Sequence, residues 1–394
     1  MSKLLEGIRK YAMTIVLVLV VIFFTAMSGG KILQASNINN LIAQNAYVFV
    51  LATAMLYCIL TGGNIDLSTG SIVCFVGAVG ATMMVTWGWP VWASMACMIL
   101  MGILIGVWQG FWIAYMNIPP WITTLAGMLM FRGLGNVVLK GLTISNFPPA
   151  FVNLFNGYIP DILGFINITI GETKLNILCL LVGLIICAII IMMELRNRAN
   201  RKKKGYELET ITKSIIKTAL ICAVVLFVMI KLAMYKGIPF ILVWIAAIML
   251  VYNFIASKTI LGRHFYTVGG NVEAAKMSGV DTRRIFFIAY INMAFLSAVA
   301  TMITMARLSS ATPTAGTNFE MDAISSCFVG GASAYGGSGT IPGMIVGATL
   351  IGVINQGMSI LGVDTDWQKI VKGMVLLVAV IFEVVNKKQK GGKA

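Results

Sequence analysis

The chain has 394 residues, of which 59% are hydrophobic and only 11% charged, with a formal net charge of +15. A soluble protein would be about a quarter charged, so the surplus apolar surface has to face lipid. Apolar runs of about 20 residues in place of alternating ten-residue segments exclude an outer-membrane barrel, and basic residues confined to the links between runs, with no aromatic-lined basic groove, exclude nucleic acid as a partner.

Lys3, Arg9 and Lys10 precede the first run, Tyr11 to Met27. That run is long and no clear cleavage site follows, so it reads as a helix that stays in the membrane. Further spans are expected at 46–61, 70–86, 91–114, 120–139, 174–193, 215–234, 239–257, 285–306, 341–361 and 367–385. Residues 140–173, with Pro148, Pro149 and Pro160, form the longest external loop. Arg196, Arg198, Arg201, Lys202, Lys203, Lys204 and Lys213 fill a basic, soluble-looking cytoplasmic insertion at 194–214. Lys258, Arg263, Lys276, Arg283 and Arg284 fill a second cytoplasmic loop at 258–284, and four lysines end the chain. Eleven crossings cannot place the N-terminus, both links and the tail on the cytoplasmic side, as the positive-inside rule requires. A twelfth, short crossing is expected at 322–334, where small residues allow close helix approach. The fold class is therefore an all-α, polytopic membrane helix bundle of about twelve segments, with both termini cytoplasmic.

No P-loop, HExxH, CxxC or GxSxG motif occurs, so neither ATP binding nor catalysis is expected on this chain. The seven cysteines lie in apolar runs without metal-ligand spacing and read as small buried hydrophobes. No metal site is expected, and the one histidine, His264, reads as a solvated loop residue. Few runs carry an ionisable group at depth, which weighs against a proton- or sodium-coupled carrier. Arg132, inside the run 129–138, either snorkels to an interface, the expected outcome, or faces the bundle interior.

Three segments stand out. In the first, Gly62 and Gly63 break a helix, and Asp66, Ser68 or Thr69 can cap the next one. The stretch around Asn64, Asp66 and Ser68 is either a cytoplasmic-edge turn with an N-cap or a broken helix lining the permeation path or touching a partner. In the second, Gly269 and Gly270 precede Asn271, which can cap a short exposed helix carrying Glu273, Ala274 and Ala275 and closed near Ser278 by Gly279. A helix that short is marginal in water and needs something to dock against. The third segment, Ala306 to Asp322, is polar and small; Arg307 can pair with Glu320 or Asp322, and Thr314 and Asn318 lie between them. It is either a structured loop, or a gate or docking surface for an extracytoplasmic partner. Downstream, the Gly336-Gly337-Ser338-Gly339 stretch reads as a tight turn, and Gly102, Gly106, Gly110, Gly343 and Gly347 as helix-packing positions.

Together GGNIDLSTGS, GGNVEAAKMSGV, ARLSSATPTAGTNFEMDAI and GGASAYGGSGTIPG resemble the permease subunits of bacterial ABC monosaccharide importers of the ribose, galactoside and xylose type. Asn64 is an extra residue in the first motif, and the likeness spares about 194–235. The common family form has about ten segments; the insertion and the span after it add two, as in permeases for xylose or several monosaccharides. The resemblance implies a single transmembrane permease domain over 1–394 in the bacterial cytoplasmic membrane, surrounded by lipid. It implies that a second permease copy completes the path and that an extracytoplasmic sugar-binding protein delivers a monosaccharide such as xylose. A separate ABC ATP-binding subunit would hold the ATP and magnesium and receive the short helix around Asn271 to Ser278, flanked by Gly269, Gly270 and Gly279, as a coupling helix, leaving this chain with no cofactor. Asn64, Asp66, Ser68, Arg307, Thr314, Asn318 and Glu320 become candidates for the path or its gate. The rivals are an ion-coupled sugar carrier acting without an ATPase, and a non-transporting membrane receptor or scaffold.

Overall fold

The computed structural model describes residues 2–162, 169–170, 173–206 and 210–391. Helices dominate: α1 (Ser2–Met27), α2 (Ala35–Gln44), α3 (Ala46–Leu60), α4 (Thr69–Ala81), α5 (Val91–Ala114), α6 (Pro120–Leu139), α7 (Pro149–Asn156), α8 (Ile177–Lys203), α9 (Ile211–Ala233), α10 (Phe240–Lys258), α11 (Ile260–Gly270), α12 (Val272–Met277), α13 (Thr282–Leu308), α14 (Phe319–Val329), α15 (Ile341–Ile360) and α16 (Thr365–Gly391). A π-helical turn, Thr82–Thr86, extends α4. Four two-residue strands make two small ribbons: β1 (Ile144–Ser145) pairs antiparallel with β4 (Ser310–Ala311), and β2 (Thr169–Ile170) with β3 (Thr173–Lys174). Among the described residues, nine helical segments are long and apolar enough to cross a membrane.

The chain forms two compact units. The larger comprises Met1–Gly30, Leu41–Asn156 and Ile241–Ala394; the smaller comprises Lys31–Asn40 and Gly157–Phe240. In the larger unit α3, α4, α13, α14 and α15 form the buried centre: Ala46 to Leu60 and Met293 to Ala306 contain almost no lipid-facing side chain. Exposed aliphatic and aromatic residues on α1, α5, α6 and α16 form the outer shell (Leu19, Leu104, Leu129 and Val378, for example). The expected glycine packing positions are used. A Cβ at Gly106 would stand 2.6 Å from the Ile291 Cα, and one at Gly102 2.7 Å from the Ala298 Cβ, so α5 and α13 touch along their backbones. Gly343 and Gly347 of α15 likewise lie against the carbonyls of Gly330 and Ser326.

The smaller unit is chiefly the α8–α9 hairpin. Gly183 of α8 admits the Met229 side chain of α9, and the Cys187 thiol approaches the Cys222 carbonyl at 3.7 Å. Asn176 caps α8 by accepting from the Cys179 amide. Helix occupies much of the basic stretch 194–214: α8 runs on to Lys203, and α9 begins at Ile211. Its charged residues are good helix formers, and nothing before Gly205 interrupts the pattern.

Three local readings change. His264 is half-buried on α11, a helix, and not a solvated loop residue. Arg132 does not snorkel: its guanidinium donates to the carbonyls of Pro313 at 3.2 Å and Ala315 at 2.5 Å. The non-helical backbone at 309–318 has carbonyls that need donors inside the bundle, and the arginine meets that need. Asp322 pairs with Lys372 at 3.0 Å, not with Arg307, and also accepts from the Tyr47 hydroxyl at 2.6 Å.

Removing one partner of a buried ion pair leaves an uncompensated charge, a loss of about 3 kcal/mol. Lys372→Met is expected to lower thermal stability in detergent by that order, and Lys372→Met with Asp322→Asn to recover most of it. Additive losses in the double variant would contradict the pairing.

Candidate functional site

Two chain breaks organise the larger unit. After α3 the chain runs non-helically through 61–68 before α4 begins; after α13 it does so through 309–318 before α14 begins. The half-helices α4 and α14 start beside each other. Gly70 and Gly316 meet backbone to backbone, so that a Cβ on either would overlap the other residue's carbonyl oxygen. Gly316 has a φ of +73°, a conformation glycine adopts without strain. The Glu320 carboxylate also lies against Gly70.

Asp66 and Ser68 support this crossover from below. The Asp66 carboxylate accepts from the Ser68 amide at 2.8 Å and from its hydroxyl at 2.6 Å, forming a local turn instead of a helix cap. Gln109 of α5 donates to the Ser68 hydroxyl at 2.6 Å. Asp66, Ser68 and Gln109 are all fully buried. Arg132 holds the other break through its two carbonyls, and Gly127 and Gly135 let the same helix, α6, pass close to Ser68 and Cys74. Beside the second break lies a polar cavity of about 310 Å3, whose lining includes Tyr47, Arg307, Thr314, Phe319, Asn355 and Lys372. The Tyr47 and Phe319 rings stack 3.5 Å apart in its wall.

At the other end of α3 three glycine motifs converge. Gly269 of α11 presses on the last turn of α3, where a Cβ would overlap the Leu60 carbonyl oxygen. The Gly337 amide donates to that same carbonyl at 3.1 Å. Gly336 abuts Gly62, Gly337 abuts Gly270, and Gly63 abuts Ala334. Aromatic packing and one phenol lock the junction. Tyr57 packs edge-on against Phe265 at 5.0 Å and Tyr252 at 5.5 Å, and the Tyr266 hydroxyl donates to the Gly339 carbonyl at 2.8 Å. Burial pushes the Tyr266 phenol above its ordinary range, so it keeps its proton and its donor role near neutral pH.

The short helix α12 leaves this junction directly. Asn271 accepts from the Ala274 amide at 3.0 Å, Ser278 donates to the Ala274 carbonyl at 2.9 Å, and Gly279 closes the helix at φ +81°. Only Ala275 is buried; Glu273, Ala274, Lys276 and Ser278 are exposed, and Met277 is 89% exposed.

The candidate path residues therefore fall in three places. Asp66, Ser68 and Glu320 gather at the crossover; Arg307 and Thr314 line the cavity. Asn64 lies at the junction, where its amide donates to the Thr61 carbonyl and hydroxyl at 3.3 and 3.2 Å. Asn318 starts α14 in the left-handed region without a side-chain cap bond. Sequence reasoning missed Gln109, Lys372 and the part the 336–339 turn plays in the junction. Lys372 carried a usable signal, being a cation within an expected span.

A family model for the permease component of branched-chain amino acid transport systems matches residues 37–380. The chain belongs to that permease family. The permease is 36% identical to a xylose transport system permease protein of Haemophilus influenzae, over 97% of this chain and 98% of the relative. It is 33% identical to the Escherichia coli K12 xylose transport system permease protein, over 97% and 93%. A ribose import permease protein of Escherichia coli K12 is 30% identical over 95% and 94%. No solved structure matches. The permease is thus a multi-pass protein of the cytoplasmic membrane and a transport subunit, not an enzyme.

Gly269→Ala and Gly270→Ala separate the junction from mere helix propensity. Nothing stands within 4 Å of a Cβ at Gly270, whereas one at Gly269 strikes backbone. Gly270→Ala is expected to keep wild-type thermal stability, and Gly269→Ala to lose it. Equal behaviour of the two variants would remove the junction from the account.

Proposed function

We propose that this permease is the membrane subunit of an ATP-driven monosaccharide importer, with xylose the first candidate cargo. The likeness to xylose permeases along nearly the whole chain supports the substrate class. The observation that carries the mechanism is the exposed α12 braced on a glycine junction, a docking knob coupled mechanically to the end of a broken transmembrane pair. Family membership brings an ATP-binding subunit and a substrate-binding protein as general partners. The finer reading is that the loop 258–284 docks on the ATPase through Gly269, Gly270, Asn271, Glu273, Ala274, Ala275, Ser278 and Gly279. ATP and magnesium belong to that partner, a second copy of this chain completes the path, and lipid surrounds both copies.

The topology proposed is twelve crossings in one permease domain, with both termini cytoplasmic. The nine long apolar helices support it, joined by α1, the short α14 and α16. Closure of the ATPase would push α12, and the junction would pass the displacement to α3 and the 336–339 turn. These lead to the two breaks, where Asp66, Ser68 and Glu320 form the constriction, with Asn64 below it and Arg307, Thr314 and Asn318 at its cavity side. Small residues at the crossover let the backbones slide without a side chain to clear. The binding protein supplies affinity, so the path needs few sugar-binding groups.

The test is reconstitution with the ATPase and the binding protein. Ala274→Arg, on the exposed face of α12, is expected to leave folding and membrane insertion unchanged. It should cut xylose-stimulated ATP hydrolysis and uptake together by roughly a hundredfold, the loss of about 3 kcal/mol of contact energy. Wild-type coupling in that variant would overturn the docking role. Gradient-driven uptake by the chain alone would replace the ATP-driven reading with an ion-coupled one.

A further inference from the structure

The α8–α9 hairpin carries a feature that the proposed function leaves unassigned. At its charged end lies a cavity of about 430 Å3 whose lining includes Arg198, Arg201, Lys204, Tyr206 and Lys217. Directly against it, sharing Glu194 and Arg198, runs an apolar groove of about 390 Å3 between Ile191 and Leu195 on α8 and Ile215 and Ala219 on α9. Ile191, Leu195 and Ile215 are exposed at 46%, 62% and 62%. The one acid in the shared wall, Glu194, is engaged by the Ser214 hydroxyl.

We propose that this end of the hairpin is a binding site for one anionic phospholipid. The positive-inside rule accounts for basic residues here but asks only for charge, scattered on any exposed surface. It does not account for cations from both helices facing one concavity that continues into an apolar slot. That pairing matches the two halves of a lipid. A phosphodiester takes the guanidinium of Arg201 and the ammonium groups of Lys204 and Lys217. One acyl chain lies along Ile191, Leu195, Ile215 and Ala219. A zwitterionic headgroup would bring its own cation into the same basic pocket, so the site selects net negative charge. The inference concerns the hairpin alone and does not rest on the transport reading.

The experiment compares lipids retained by the full-length protein, using native mass spectrometry after exchange into detergent containing equal phosphatidylglycerol and phosphatidylcholine. Wild type is expected to retain phosphatidylglycerol roughly tenfold over phosphatidylcholine. Arg201→Gln/Lys204→Gln/Lys217→Gln, which keeps Arg198, Lys202 and Lys203 for topology, is expected to abolish the preference. Ala219→Trp fills the groove and is expected to reduce retention of both diacyl lipids while leaving the basic pocket intact. Equal retention of the two lipids by wild type overturns the proposal without any variant. So does displacement of phosphatidylglycerol by millimolar inorganic phosphate, which would make the site one for a free anion. Unchanged retention in Ala219→Trp would also overturn it, since the apolar slot would then hold no chain.

Discussion

The carbonyl oxygen of Leu60 sits where three distant parts of the chain meet, and the larger unit depends on that contact. It accepts from Gly337 while Gly269 closes over it, at a distance no side chain could tolerate. Helix ends leave carbonyls without intrahelical partners, and inside a membrane protein those groups need donors from elsewhere in the fold. Satisfying this one has drawn a loop and a second helix into backbone contact. The reward is stiffness: backbone-to-backbone contact has no rotamers through which to dissipate a displacement. A weak, exposed helix such as α12 can transmit force only if what lies behind it is rigid, and the aromatic cluster of Tyr57, Tyr252 and Phe265 completes that backing.

A different physics governs the two breaks. Non-helical backbone inside a bundle exposes unpaired amides and carbonyls, and ionisable side chains are recruited to meet them. Arg132 serves the carbonyls of 313 and 315; Asp66 serves the amide of 68. Beside the second break, Asp322 of α14 is in turn shared by Tyr47 and Lys372. The polar content of this interior is thus a consequence of breaking helices there. The same breaks leave Gly70 and Gly316 as the narrow point between the half-helices.

Much of this was legible in the residues. Apolar runs located α5 and α6 to the residue, because Pro90 and Pro119 punctuate their starts and long hydrophobic windows decide the rest. Asn271 and Gly279 announced α12, since capping chemistry is local. What stayed hidden was tertiary. The 336–339 turn read as a simple link because nothing in Gly-Gly-Ser-Gly tells which backbone it approaches. Arg132 was expected to reach for water, since its true partners, two carbonyls 181 and 183 residues away, exist only once 309–318 folds inward. The continuation of α8 to Lys203 escapes a reading that weighs charge above helix propensity.

The junction also orders events during synthesis. Residue 60 enters the membrane long before residue 337 leaves the ribosome, so the Leu60 carbonyl must wait, open, while most of the polypeptide is still being made. Until then the end of α3 lacks the Gly337 bond and is held by Gly269 and the aromatic cluster of Tyr57, Tyr252 and Phe265. A nascent or truncated chain therefore lacks the backbone contact that closes this junction.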